Sequence, residues 1–372
     1  MLLSGCSHSN NKETTTTPVA EPADFQIKTL SDLKQLAERA NSGETFDGKV
    51  IRLENDINLT DNEKQDGGPI SWSPIWNAPN DDSPISLKGT FDGNGKTIYC
   101  NINKFEPLDS SIFGVIGTGG ILKNLTLKGK LEGDFSGLIT TSRGTIENFK
   151  IDATMVDEMT SICGICMQND GVIKDCEVRG ELKVNDGNCS GICCRNDGTV
   201  EGCKVNAQLS NCVNCINENP DITADGTPVL FHNTETGGIA AFNRGLIKNC
   251  CVVGNLTNEF DGKLYGGVGG LVSTNNGLVE NSSFEGTTKA YGSGGLVGDN
   301  YAIVQNCKAK GSIHGTEAAE FADKNQYSSA HFEWPALKAS NSGPLKTVSL
   351  MAALKLRKRK ATLRLKITLT PR

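Results

Sequence analysis

The sequence predicts an all-β fold: a right-handed parallel β-helix, a solenoid closed at its amino-terminal end by a short α-helix. Three observations carry this. A unit led by glycine recurs along most of the chain. Each copy holds two short apolar runs of strand length separated by an Asn/Gly turn. No copy shows the longer apolar period of 3.6 residues that a helix needs. Composition agrees: of 372 residues 42 are Gly, 37% are apolar and only 6% aromatic, which argues against an ordinary compact α/β enzyme. No stretch approaches the ~18 uninterrupted apolar residues of a membrane-spanning helix, so a polytopic membrane protein is excluded.

From the amino terminus, Leu2-Leu3-Ser4-Gly5-Cys6 resembles a bacterial lipoprotein box. Small residues before the cysteine suit a signal peptidase, and the Cys6 thiol then takes diacylglycerol. The charged and apolar regions of a signal peptide do not precede it, so the competing reading is an incidental cysteine in a disordered terminus. Residues 7–24 are polar, with Thr14-Thr15-Thr16-Thr17-Pro18 inside them, the composition of a flexible tether. Residues 1–24 are therefore expected to be anchor and tether, with Cys6 lipidated, the membrane reached through that lipid, and a non-acidic Ser7 directing the protein to the outer membrane or cell surface. Residues 25–110 are expected to hold the capping helix and opening coils. Within 31–41, Leu33, Leu36, Ala37 and Ala40 share one face at helical spacing, with Ser31 to cap the start and Gly43 to end it. Strands follow at 50–53 and 57–59.

Residues 111–315 carry the repeat. Copies begin at Gly137, Gly164, Gly191, Gly238, Gly270 and Gly295, with a copy one residue shorter at Gly114. They have the form Gly-apolar-apolar-x-x-Asn-x-Gly-x-apolar-x-Asn-x, as in GICMQNDGVIKDC and GLVSTNNGLVENS. Starts lie 23, 27, 27, 47, 32 and 25 residues apart, a period of roughly two dozen residues with insertions in the fourth and fifth units. A unit this short cannot bury its apolar face alone, so copies must stack. Stacking parallel strands about 4.8 Å apart turns each aligned position into a ladder. Asn169, Asn196, Asn243, Asn275 and Asn300 form one such row, where amides can hydrogen-bond from coil to coil. Gly144, Gly171, Gly198, Gly245 and Gly277 form another, replaced by Ala302 in the last copy, and a positive φ would explain the glycine.

These units resemble the GLUG motif of repeat-containing bacterial surface proteins, most closely in Gly295-Leu296-Val297-Gly298-Asp299-Asn300. Trp72-Ser73-Pro74-Ile75 and the run from Gly89 to Ile98 (GTFDGNGKTI) resemble the opening coil that precedes such repeats in Bacteroidetes-type lipoproteins. The resemblance covers about residues 25–315. It implies a β-helix at the cell surface, and it implies no single activity, because the family mixes adhesin-like lipoproteins with immunoglobulin-A-type metallopeptidases that carry the motif outside their catalytic domain.

Fourteen cysteines invite other readings. Cys176, Cys203, Cys250 and Cys307 share one repeat position with Phe149 and Ser282, and Cys166 and Cys193 align with Ile139, Ala240, Val272 and Val297. Positions that accept such residues read as core ladders in which Cys acts as a small hydrophobe. A disulfide between adjacent coils, such as Cys176–Cys203, is a second reading. Structural zinc at Cys163/Cys166 and Cys212/Cys215 is a third, with the two pairs too far apart for a compact ribbon.

Catalytic motifs are scarce. There is no HExxH, the four histidines (His8, His232, His314 and His331) are scattered, and no nucleophile elbow or phosphate loop occurs. Asp170 and Asp197 are the weak catalytic candidates, placed by the ladder on one face as carboxylate pairs are in glycan-active β-helices; a local turn role competes. No cofactor is expected. The acidic body, within a net charge of −6, offers no footprint for nucleic acid. Residues 213–236 are an insertion expected to carry specific contacts. Residues 316–372 form an atypical tail that abandons the repeat, with eleven basic against two acidic residues over 321–372; so abrupt a change is also what a shifted reading frame would produce. The expectation is a non-enzymatic, lipid-anchored surface protein that displays loops to host or matrix glycans or proteins. The alternatives are a carbohydrate-active β-helix enzyme, a lyase or hydrolase, and a pure spacer.

Overall fold

Each copy of the repeat folds as one coil, and successive coils stack so that equivalent strands run parallel. The structure is a computed structural model. It describes residues 22–59, 72, 74–77, 85–102, 111–132, 137–157, 161–185, 187–211, 234–260, 263–264, 266–315, 348–351, 355–356 and 359–360.

One coil shows the plan. Cys166–Asn169, Val172–Lys174 and Glu177–Val184 are its strands, joined by tight corners. Each pairs residue for residue with the next coil: Asn169 with Asn196, Ile173 with Val200, Val178 with Val205. The first strand of every coil belongs to a seven-stranded sheet, the second to a ten-stranded sheet and the third to an eleven-stranded long sheet. A short strand such as Ile162–Cys163, ahead of the first, builds a five-stranded sheet along a fourth side. All of these ladders are parallel; Lys263–Leu264 folds back antiparallel on Cys251–Phe260. The chain is thus a parallel β-helix.

Inward positions make the core. In Lys204–Asn211 burial alternates, with Val205, Ala207 and Leu209 inside and Lys204, Asn206 and Gln208 outside, as a period of two requires. Apolar rows such as Ile146–Ile173–Val200–Ile247–Val279–Val304 run the length of the stack, each fully or nearly fully buried.

The amino-terminal helix, α1, spans Leu30–Asn41 and buries Leu33, Leu36, Ala37 and Ala40. Its cap is Thr29 rather than Ser31: the Thr29 hydroxyl accepts from the Asp32 amide at 3.2 Å, and the Asp32 carboxylate accepts from the Thr29 amide at 2.9 Å. This reciprocal capping box satisfies two end donors, which Ser31, already inside the first turn, cannot do. The helix connects Phe25–Ile27, the outermost strand of the ten-stranded sheet, with Val50–Leu53 beside it, and so lies at the amino-terminal end of the stack. The opening coil joins the same fold, with Ile75 bridging Phe113 and Leu87 bridging Ile116. At the other end Val348–Met351, in the segment that the sequence reading set outside the repeats, pairs in parallel with the last coil. Among the described residues no helix is long and apolar enough to cross a membrane.

The turn glycines require a correction. Gly144, Gly171, Gly198, Gly245 and Gly277 do not have positive φ. A Cβ on any of them would stand 2.0–2.2 Å from the carbonyl oxygen of the coil before it, as at Gly198 against Gly171. The glycine is needed for close backbone approach. The left-handed residue is instead the twelfth of the unit, at the corner into the long sheet: Asn148, Asp175, Gly202, Asn249, Asn281 and Asn306. Asn and Asp are the non-glycine residues that tolerate this conformation best, and that accounts for the second recurring Asn of the motif. Gly198→Ala is therefore expected to cost about 2–4 kcal/mol, whereas Asn249→Gly should change stability by no more than about 0.5 kcal/mol; chemical denaturation of the two variants measures the contrast.

Candidate functional site

Three corners of the coil are fixed in length and the fourth is not. The connections from Asn169 to Val172 and from Lys174 to Glu177 recur unchanged in the coils beginning at Gly137, Gly191, Gly238, Gly270 and Gly295. Length variation falls between the end of each long-sheet strand and the start of the next coil: Ile102 to Phe113, Glu132 to Ile139, Asp157 to Ile162, Val184 to Cys189, Asn211 to Glu235 and Phe260 to Gly267. The described ends of the later segments stack one above another along a single edge of the solenoid, Cys189 on Ile162, Thr236 on Cys189 and Val268 on Thr236. The largest, containing the insertion at 213–236, lies outside the described residues except at its end, where Thr234 and Thr236 are buried.

Buried amides hold this edge in place. Asn258, fully buried, accepts from the Thr236 hydroxyl at 2.6 Å and donates to the Thr234 and Gly267 carbonyls at 3.1 Å. Asn188 donates to the Ser161 hydroxyl and accepts from the Glu235 amide at 3.0 Å. The returning arm of the long insertion is thereby tied to the coils on both sides, and the buried Asn258 amide is satisfied at both its nitrogen and its oxygen.

Asp170 and Asp197 sit one coil apart at the corner after the Asn row, each partly exposed. Asp197 pairs with Arg195 at 2.6 Å; Asp170 accepts from the Gln168 amide at 3.0 Å and faces Arg143 at 3.9 Å. Each carboxylate is engaged by a partner of its own, so the two do not form an isolated pair of like charges such as glycan cleavage uses.

The Asn row is a continuous amide chain. Asn169 donates to Asn196, Asn196 to Asn243, Asn243 to Asn275 and Asn275 to Asn300, each at 2.8 Å, with the first four fully buried. Ser142 stands at its amino-terminal end.

The cysteines occupy a different kind of row. Cys176, Cys203, Cys250 and Cys307 are free and buried. Each thiol donates to the carbonyl two residues earlier, at Lys174, Glu201, Lys248 and Gln305, over 3.2–3.5 Å. The Ser282 hydroxyl does the same to Glu280 at 2.8 Å. In five coils the position thus holds a small side chain with a donor, whereas in the coil beginning at Gly137 the buried Phe149 fills it with an apolar ring. The pairing Cys176–Cys203 does not occur: both thiols are free, and each also faces a carbonyl of the preceding coil, at Ile146 and Ile173, over 3.8 Å. Cys251, one residue away from this row, is disulfide-bonded. Among the described residues no three His, Cys, Asp or Glu side chains are grouped to hold a metal; Cys212 and Cys215 lie outside them, as does Cys6. Burial pushes the Cys176 and Cys250 thiols well up and those of Cys194 and Cys307 to about 11.

Sequence reading missed two further rows. On the solvent face of the ten-stranded sheet, Asp92, Lys123, Glu147, Lys174, Glu201, Lys248 and Glu280 alternate in sign from coil to coil. Lys174 meets Glu147 at 2.6 Å and Lys248 meets Glu201 at 3.0 Å, and the Glu147 carboxylate raises the Lys174 ammonium above its usual range. Exposed pairs stabilise little, but a slip of one coil would oppose like charges, so the row specifies register. The signal was present in the alternating Glu and Lys at the eleventh position of the unit. In the long sheet, Gly129, Ala153, Gly180, Ala207, Gly254, Gly286 and Gly311 form a row of small residues; a Cβ at Gly286 would stand 1.7 Å from the Gly254 carbonyl oxygen.

A thiol held neutral in the folded chain ionises more easily once unfolded. The stability it confers is complete below the ordinary thiol range near pH 8.5 and is lost as pH rises toward 11. Thermal melting should therefore fall steadily over that window, and Cys307→Ser, which keeps the donor, should flatten the fall while leaving the melting temperature at pH 7 within a few degrees.

Comparison with known proteins places the fold more firmly than the activity. No family model matches the chain. Halomucin of Haloquadratum walsbyi is 30% identical over 138 residues, which is 35% of this chain and 1% of halomucin. A crystal structure of a suggested immunoglobulin A1 protease from Bacteroides ovatus superposes with a TM-score of 0.50 at 16% identity, over 87% of this chain and 84% of the other. At that identity the likeness is one of fold alone: the chain shares its parallel β-helical architecture.

Proposed function

We propose that this chain is a non-enzymatic, lipid-anchored surface protein of the GLUG-motif type, whose β-helix displays variable segments along one edge to host or matrix glycans or proteins. The observation that carries the reading is the confinement of length variation to a single corner of the coil. A binding protein can change those segments without disturbing the stack, because the strands and the other three corners bear the coil-to-coil hydrogen bonds. The lateral rows contribute less, since their charged residues pair among themselves. The carbohydrate-active alternative depends on Asp170 and Asp197, and the separate partners of the two carboxylates favour a structural role for both.

Replacing 213–233 with a short Gly-Ser linker is expected to leave the far-ultraviolet circular dichroism and the melting transition intact while removing ligands retained by the parent chain on a glycan and host-protein array. Retention of every ligand would place recognition elsewhere. Asp170→Asn combined with Asp197→Asn should leave array binding unchanged and reveal no lost glycan cleavage; a loss of cleavage would establish the enzyme reading. For the anchor, Cys6→Ser in the native bacterium should abolish incorporation of labelled palmitate and release the protein from the membrane fraction.

A further inference from the structure

We propose that the solvent face of the ten-stranded sheet is a docking surface for a second copy of this chain, packed face to face with the two solenoids antiparallel. From Val50–Leu53 to Ile303–Gln305 each strand of that sheet presents two outward residues, and the pairing register lines them up in two rows along the stack. One is the charged row. Arg52 extends it beyond Asp92, and Gln26 and Gln305 stand at its two ends. Its ten rungs are therefore a neutral residue, eight charges of strictly alternating sign, and a second neutral residue. The other row is aliphatic. Val50, Ile121, Val172, Leu246, Leu278 and Ile303 lie on it, with Thr90, Thr145 and Thr199 interleaved, and all nine are half-buried. A half-exposed aliphatic stripe that runs the length of the stack marks an interaction surface.

The charges identify the partner. An interface between identical chains must be complementary to itself, and an alternating row with an even number of charges is complementary to its own reverse. A two-fold axis running along the strands, midway between the rungs of Glu147 and Lys174, sets Glu147 against the second copy's Lys174. It sets Lys123 against Glu201, Asp92 against Lys248, Arg52 against Glu280 and Gln26 against Gln305. Opposite charges meet at all eight charged rungs. With an odd number of charges, or after a slip of one rung, like charges would meet instead. The same operation returns the aliphatic row onto itself, with Ile121 over Thr199, Thr90 over Leu246 and Val50 over Leu278. A two-fold along the solenoid axis would lay the charged row on the aliphatic one, and burying charge against apolar surface is costly. Antiparallel packing suits both rows.

Pairing within one chain does not compete with this arrangement. Arg52 faces Asp92 at 3.8 Å, Lys174 meets Glu147 at 2.6 Å and Lys248 meets Glu201 at 3.0 Å along the row. A second row laid on the first makes a checkerboard in which each charge also has its opposite across the interface, and such complementarity fixes register between partners. Coil-to-coil register within one chain needs only that neighbours differ in sign. It asks nothing of the total number of charges, and nothing of the aliphatic row beside them. A uniformly charged partner would meet as many like charges as opposite ones. At about 4.8 Å per rung the face is about 40 Å long, and three strand residues with one corner residue on each side make it about 16 Å wide. That is about 650 Å² per copy, below the ~800 Å² of a standard interface, so the dimer is expected to be a weak one.

Sedimentation velocity of the full chain is expected to show a monomer–dimer equilibrium with a dissociation constant between about 1 and 100 μM. Lys174→Glu and Glu147→Lys should each weaken self-association at least tenfold, because each places two like-charge contacts at the two-fold axis. An equimolar mixture of the two variants should recover the parental affinity as a one-to-one dimer, since every charge at the axis then faces its opposite. Recovery also shows that both variants are folded. A second measurement leaves the charges untouched. Thr90 and Leu246 lie five rungs, about 24 Å, apart within one chain, so Thr90→Cys with Leu246→Cys can form a disulfide only between copies. Under mild oxidation, peptide mapping should join position 90 of one copy to position 246 of the other, and Thr90→Cys alone should give no joined dimer. A chain that stays monomeric at about 100 μM, self-association that neither reversal weakens, a mixture that fails to recover it, or a bond between the two positions 90 would overturn the proposal.

Discussion

Contact between one coil's backbone and the next is the constraint on which this molecule depends. At the turn glycines, the repeated leading glycines and the glycines of the long sheet's small-residue row, carbonyl oxygens approach so closely that a Cβ would collide with them. Close approach is what lets the parallel ladders of all four sides keep the same spacing, and the ladders satisfy the backbone groups of strands too short to be stable alone. Side chains then follow the backbone. Once the spacing is set, identical residues fall one above another, and buried polar atoms can be paid for only by partners in the neighbouring coil.

The amide chain from Asn169 to Asn300 shows the consequence. A buried Asn is costly when unpaired, and the three inner amides, Asn196, Asn243 and Asn275, both donate and accept along the row, while Asn169 only donates and Asn300 only accepts along it. The ladder therefore stabilises only as a whole and only in one register. The alternating charges outside the ten-stranded sheet repeat that logic at lower energy. The cysteine row differs, since each thiol makes its shortest hydrogen bond within its own coil, as the Ser282 hydroxyl does, which explains why Ser can replace Cys there. A solenoid built this way has little freedom on its lateral faces. Its freedom is concentrated at the corner between the long sheet and the next coil, where Asn188 and Asn258 brace segments of very different length.

The two ends of the stack are solved differently. At the amino terminus a helix with its own capping box covers the apolar end, and the strand Phe25–Ile27 shields the sheet edge beside it. At the carboxy terminus Val348–Met351 pairs in parallel with Cys307–Lys310 and covers that part of the long sheet's edge.

Much of this was legible in the sequence because a repeat writes its geometry at fixed spacing. The parallel β-helix, the Asn row, the buried face of α1 and the strands near 50–53 and 57–59 all follow from periodicity and residue type, which are local properties. The reasons behind several of those residues were not local. Whether a recurring glycine serves φ or close approach depends on how near the next backbone lies, and only the stack reveals that the twelfth residue carries the left-handed turn. Thr29 displaces Ser31 as the cap because the capping box needs Asp32 three residues on in helical geometry. Asp170 and Asp197 share a face, as their alignment implies, but their partners Arg195 and Gln168 come from strand pleating that spacing alone does not resolve. The pairing of Val348–Met351 with the last coil escaped notice because it joins segments some forty residues apart that share no repeat position. Sequence by itself determined that coils form and which residues align; tertiary structure decided which atoms those alignments bring into contact, because contact in a solenoid is made between coils distant in the chain.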